Sequence, residues 1–119
     1  GQLSQGCRYA GSNTVDSVAW HIGNSKNKCQ SVAQKMPNEL GVFDMSGNVW
    51  EWVSDCSAPY ISEPQVDPVG PSTGDLGVIR GGSYEYPNKE MVRVTARKTD
   101  VDTNDYRSYI GLRLVLDIQ

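Results

Sequence analysis

The chain has 119 residues, 38% of them hydrophobic and 21% charged, which bounds it to one small globular domain burying roughly two-thirds of its extended surface. A net charge of −3 and a pI near 5.0 exclude the concentrated basic surface that nucleic-acid phosphates require. No apolar run approaches the ~18 residues of a membrane span, and the first residues carry no signal-peptide pattern.

In chain order, residues 1–17 are polar and rich in Gly and Ser, and read as loop. Val18-Ala-Trp-His-Ile22 is a short apolar segment, half-buried, with Trp20 partly exposed. His21 is the only histidine. Without a plausible partner it makes a serine- or cysteine-type triad improbable and reads as a packed or surface side chain. Residues 23–30 form a turn-rich loop, residues 31–34 a short extended piece, and Met36-Pro-Asn-Glu39 a bend. A strand is predicted over residues 49–53. Residues 55–77 carry Pro59, Pro64, Pro68 and Pro71 and read as a long surface loop. Further strands are predicted over 77–83, 91–96 and 110–116, the last as a buried strand with one paired or edge-directed charge, Arg113. Cys7, Cys29 and Cys56 are an odd set at spacings far from a zinc knuckle. Both a Cys7–Cys29 disulfide and idle thiols are open to them.

The densest chemistry lies in Gly41-Val-Phe-Asp-Met-Ser-Gly-Asn-Val-Trp-Glu-Trp52. Asp44 and Glu51 bracket a Ser46-Gly-Asn48 turn, in which Gly47 can adopt the positive φ of a tight turn. In the strand that follows, Trp50 and Trp52 point to one face and Val49, Glu51 and Val53 to the other. The tryptophans read as core, facing away from an edge that presents carboxylate oxygen.

Asn38-Glu-Leu-Gly-Val-Phe-Asp-Met-Ser-Gly-Asn-Val-Trp-Glu-Trp52 resembles the hallmark of the formylglycine-generating enzyme, or sulfatase-modifying factor, family. Tyr9-Ala-Gly-Ser-Asn13, Val18-Ala-Trp20, Val32-Ala-Gln-Lys35, Asp67-Pro-Val-Gly-Pro71, Arg80-Gly-Gly-Ser-Tyr84 and Ile110-Gly-Leu-Arg-Leu-Val115 follow in the family's order. The resemblance covers essentially the whole chain as one domain, residues 1–119, and matches the C-terminal half of the family domain. It implies an α+β fold related to C-type lectins, short strands with long ordered loops, in which strands 77–83 and 110–116 form the central sheet with strand 49–53. It also implies that something else, such as self-association, covers the apolar surface left by the other half.

The family oxidase uses two cysteines between the Arg-Gly-Gly-Ser and Gly-Phe-Arg motifs. Here the corresponding stretch reads Glu85-Tyr-Pro-Asn-Lys-Glu-Met-Val-Arg-Val-Thr-Ala-Arg97, with Lys89 or Val92, and Val94, where the thiols would stand. Hydrocarbon cannot replace thiolate chemistry, nor the soft sulfur that copper(I) prefers. The resemblance therefore implies no catalytic residues in this chain.

It does imply one calcium ion, with Asp44 and Glu51 as carboxylate ligands and Gly47 and Val49 as backbone-carbonyl ligands. Six to eight hard oxygens are what calcium takes. The alternative is that Asp44 caps the turn through its own backbone and Glu51 is a salt-bridged strand residue. The family's second calcium site is not expected, since Val18 stands where an asparagine is needed. Asp100-Val-Asp-Thr-Asn104 opens like an EF-hand loop, but Asp105 replaces the turn glycine and Gly111 the bidentate glutamate. That segment reads as a solvated acidic loop.

Tyr84, Tyr86, Tyr106 and Tyr109 are the candidates for an exposed aromatic surface, while Arg80, Arg97 and Arg113 read as structural, pairing with carboxylates or loop carbonyls. Two functions follow. One is a non-catalytic, calcium-stabilised module that binds a protein or glycan ligand or serves structurally, in an exported setting. The other is a fragment or divergent member of a formylglycine-generating oxidase that modifies a sulfatase cysteine. The unpaired thiols weigh against export and the calcium site for it.

Overall fold

The computed structural model describes residues 4–116. Its regular structure is a single helical turn, α1 (Val15–Val18), and four strands: β1 (Trp50–Cys56), β2 (Leu76–Arg80), β3 (Lys98–Asp102) and β4 (Ile110–Gly111). They form one sheet in the order β3-β2-β1-β4, antiparallel except for the parallel β1–β4 pair. A 3-10 helix over Lys89–Val92 lies between β2 and β3. The rest is loop, which gives the α+β arrangement expected.

β1 forms the middle of the sheet because its two faces differ. Trp50 is fully buried with Ile79 and Val101, and Trp52, Tyr86, Met91, Tyr109 and Ile110 pack around that cluster. The Tyr86 ring meets Trp50 edge-on at 5.5 Å between centroids, a geometry favoured by the ring quadrupoles. Glu51 lies on the opposite side and pairs with Arg113. A second cluster joins Tyr9, Val18, Ala19 and Val92, and ties the first loop to the 3-10 helix.

Several expectations change. Residues 91–96 are not a strand. The Asn88 side chain accepts the Glu90 N–H at 3.0 Å and nucleates the 3-10 helix, which turns Val92 inward and leaves Val94 half-exposed. The third partner of the sheet is instead β3, which takes in residues 100–102 of the segment 100–104 read as a solvated acidic loop. Only Val101 of this edge strand is buried, and Lys98, Asp100 and Asp102 alternate with the residues between them, as charged edges commonly do. Residues 110–116 were expected as a buried strand, but pairing stops at Gly111 and Leu112, Leu114, Val115 and Leu116 are exposed. Residues 31–34 form a turn with Ala33 at φ 60°, not an extended piece.

Of the four tyrosines expected at the surface, only Tyr106 is strongly exposed. Tyr84 is buried, and Tyr86 and Tyr109 are part of the core rim. All three cysteines are free, so the Cys7–Cys29 disulfide does not form.

Candidate functional site

The loop from Gly41 to Trp50 is the hub of the molecule, held by its own polar groups. Asp44, Gly47 and Asn48 all have positive φ (56°, 81° and 66°). At Gly47 there is no room for a side chain, since a Cβ would lie 2.3 Å from the Trp20 carbonyl oxygen. The Gly47 N–H donates to the Gly81 carbonyl (2.7 Å) and the Asn48 N–H to the Trp20 carbonyl (2.8 Å). The Asn48 side chain closes a two-way bond with the Gln30 backbone, at 3.0 and 3.1 Å. Its carbonyl accepts the Tyr84 N–H at 2.7 Å, and Ser46 Oγ accepts the Ala10 N–H at 3.0 Å. Buried polar groups of this kind stay only because they are paired, so the motif acts first as a polar hub for four separate loops, those of Ala10, Trp20, Gln30 and Gly81–Tyr84.

The Trp20 turn is fixed in the same way. His21 is buried, with Nδ1 accepting the Gly23 N–H at 3.1 Å; that leaves Nε2 to donate to Asp16 Oδ1 at 2.8 Å. The hydrogen bond from His21 is the largest of the effects that hold the Asp16 carboxyl below its ordinary range. Asn24 joins the network by donating to Asp16 and to the Ala19 carbonyl. His21 is thus a packed side chain, and Asp16 is a partner the sequence did not disclose. Lys35 lies over the Trp20 ring at 4.1 Å.

Asp44, Gly47, Val49 and Glu51 line one cleft of about 580 Å³, together with Ala33, Phe43, Leu112 and Arg113. Asp44 Oδ2 accepts the Ala33 N–H at 2.7 Å, a bond across loops that sequence reasoning missed; the turn that supplies it depends on the unusual Ala33 backbone. Among the described residues, no loop-backbone or side-chain donor takes the Gly47 or Val49 carbonyl. Arg113 forks onto Glu51, with Nε 2.9 Å from Oε2 and Nη2 2.6 Å from Oε1. Its Nη2 also donates to the Phe43 carbonyl at 3.1 Å. The Glu51 bond and the charges of Glu51 and Asp44 keep this guanidinium above its ordinary pKa. The salt-bridged alternative for Glu51 is therefore present, while the cap of Asp44 is not to its own backbone.

Among the described residues no group of three or more His, Cys, Asp or Glu side chains is gathered. A cation in this cleft would rely on two carboxylates and on main-chain oxygen. Hard oxygens in that mixture suit calcium or magnesium and not a soft transition metal.

The acidic side chains of β3 are spent locally. Asp100 pairs with Lys98 at 2.5 Å, and Asp102 Oδ1 accepts the Asn104 N–H at 2.8 Å. Arg80 and Arg97 donate to the Ala96 and Ala58 carbonyls at 3.1 Å, as structural arginines. Arg97 also stacks on the exposed Tyr60 ring at 3.7 Å, an aromatic the sequence reading did not single out.

Short strands, a buried tryptophan strand and a loop hub together define an α+β domain of the sulfatase-modifying-factor type. The chain belongs to that family: the sulfatase-modifying factor enzyme 1-like domain matches residues 3–118. It is 47% identical over 70 residues to a formylglycine-generating enzyme of Streptomyces coelicolor, covering 54% of this chain and 22% of that protein. Over 80 residues it is 40% identical to the chaperone protein LppX of Paenibacillus barcinonensis, covering 50% and 29%. The Mus musculus formylglycine-generating enzyme is 35% identical over 83 residues, covering 68% and 22%. In solved structures, the Treponema denticola variable protein 1 superposes with a TM-score of 0.83 at 29% identity, covering 93% of this chain and 41% of that one. CarF (TM-score 0.72, 31% identity, 96% and 38%) and PvdO from Pseudomonas aeruginosa (0.71, 28%, 92% and 41%) share the fold. The chain thus spans less than a third of these curated relatives and about two-fifths of these structures.

Proposed function

We propose that this chain is a non-catalytic sulfatase-modifying-factor-like module in which one calcium ion, held by Asp44, Glu51 and the carbonyls of Gly47 and Val49, ties the loop hub to β1. The observation that carries the reading is the convergence of these four residues on one cleft, with both carbonyls left without a donor among the described residues. The ion would supply structure: it would bridge loop and strand where two like carboxylates otherwise face one cleft. Ligand binding, to a protein or a glycan, is the activity left to such a module. The non-catalytic part rests on residues 85–97, which contain no thiol, and on the absence of cysteine after Cys56.

An exported setting, periplasmic, cell-surface or secreted, accompanies this reading, because extracellular calcium modules work with dissociation constants of about 10⁻⁴–10⁻³ M. The exposed Leu112, Leu114, Val115 and Leu116 favour association with another surface, a second copy included. Among the described residues no helix is long and apolar enough to cross a membrane. A second reading, a fragment or divergent member of a formylglycine-generating oxidase, draws on the 47% identity to the Streptomyces coelicolor enzyme.

Thermal melts with calcium and with chelator, at several protein concentrations, test the proposal. A ligand confined to the native state raises the Tm by mass action, and self-association makes it depend on protein concentration. A calcium-dependent rise that is lost in Glu51→Gln is expected. An identical Tm in both buffers removes the metal assignment. Conversion of a sulfatase-derived cysteine peptide to formylglycine by the chain would establish the second reading.

A further inference from the structure

The four oxygen donors of the cleft are not equally open. Among the described residues no donor takes the Gly47 or Val49 carbonyl, and Asp44 has one carboxylate oxygen committed, to the Ala33 N–H. Glu51 has both oxygens committed, to the Arg113 fork. Through Nη2 the same guanidinium reaches the Phe43 carbonyl on the loop side, so it already joins strand to loop. Arg113 also does something for its own segment. Backbone pairing ends at Gly111, and residues 112–116 form no backbone hydrogen bond among those described. The Arg113 side chain is the polar tie that holds the chain beyond β4 against the cleft.

We propose that Arg113 is the built-in counter-cation of this cleft, exchanging with a divalent cation on Glu51, so that binding the ion releases residues 112–116 from the loop hub. This rests on the calcium reading above. A guanidinium forked on a carboxylate fills the in-plane positions that a bidentate metal ligand needs. A single and a double positive charge a few ångströms apart in a partly desolvated cleft repel each other. Occupancy of Glu51 is therefore exclusive, and the cation site is coupled to an exposed apolar stretch, Leu112, Leu114, Val115 and Leu116. The charge balance fits the exchange: with Arg113 in place the two carboxylates keep a net charge of about −1, and with calcium alone about 0.

Calcium titrations by calorimetry on the wild type, Arg113→Ala and Arg113→Lys test the exchange. Removing the competitor should tighten calcium binding on the order of tenfold in Arg113→Ala while lowering the Tm in chelator. Arg113→Lys, which cannot fork, should fall between. In the wild type, calcium should also raise tryptic cleavage after Arg113 several-fold relative to cleavage after Arg107, because trypsin must extract the guanidinium from Glu51. Wild-type binding with equal or weaker affinity in Arg113→Ala, or protection of Arg113 by calcium, overturns the exchange and leaves the calcium site standing. No binding by any of the three proteins overturns the calcium reading and the exchange together. Should Arg113→Ala fail to fold, the Arg113→Lys affinity and the wild-type cleavage ratio decide.

Discussion

Replacing Gly47 with alanine sets a Cβ 2.3 Å from the Trp20 carbonyl oxygen and 2.8 Å from the Trp20 nitrogen. Both obstacles are backbone, so no side chain can swing aside. The residue must also keep φ at 81°, which costs an L-residue about 1–2 kcal/mol. Relieving the clash means parting the two loops and losing the Gly47 N–H bond to Gly81 and the Asn48 N–H bond to Trp20, each worth about 0.5–1.5 kcal/mol. The sum is roughly 2–5 kcal/mol. Gly41 is the control, because it has φ 75° with nothing within 4 Å of its Cβ; Gly41→Ala should cost only the conformational part, about 1 kcal/mol. Urea denaturation of both variants measures the gap, which should be on the order of 1 M in midpoint for a chain of this size. Equal losses for the two variants would refute the idea that the hub depends on backbone contact between Gly47 and Trp20.

Trp50→Ala should cost about 3–5 kcal/mol in the same assay, whereas Trp50→Phe should cost less, because among the described residues the buried Trp50 Nε1–H has no partner to lose. Asp100→Ala should leave calcium binding unchanged, since Asp100 is paired with Lys98 on β3 away from the cleft; a loss would move the metal to the acidic edge. The Asp16 carboxyl, held below its ordinary 3.8 chiefly by the His21 hydrogen bond, contributes stability that is complete above that value and is lost as the pH falls through its folded pKa. Asp16→Asn should therefore flatten the fall in urea midpoint as the pH drops below about 4, by a small amount, because the carboxylate is largely exposed.

The centre of the fold was legible in the sequence because its signals are local. The tryptophan alternation marks β1 and its buried face, and glycine with proline marks the long loop before β2. What failed were segments decided by neighbours. Val92 and Val94 have the spacing of a strand, yet the Asn88 cap and the pocket of Tyr9, Val18 and Ala19 make a 3-10 helix of Val92. Asp100 to Asn104 looks like a solvated loop until β2 offers its first three residues an edge. Leu112 to Leu116 looks like a core strand, but pairing there depends on a partner that no local pattern encodes. In the cleft, Asp44, Gly47, Val49 and Glu51 were readable from one motif. Arg113 was readable as a paired charge, but its choice of Glu51, 62 residues away, and the bond from Ala33 to Asp44, 11 residues apart, were not.

Crystals grown in calcium, with anomalous differences collected at long wavelength, test the metal assignment most directly. A peak bound by Asp44, Glu51 and the carbonyls of Gly47 and Val49 at about 2.3–2.6 Å, with the Arg113 guanidinium off Glu51, is the result expected. An ordered cleft with no peak, and Arg113 still forked on Glu51, would contradict it.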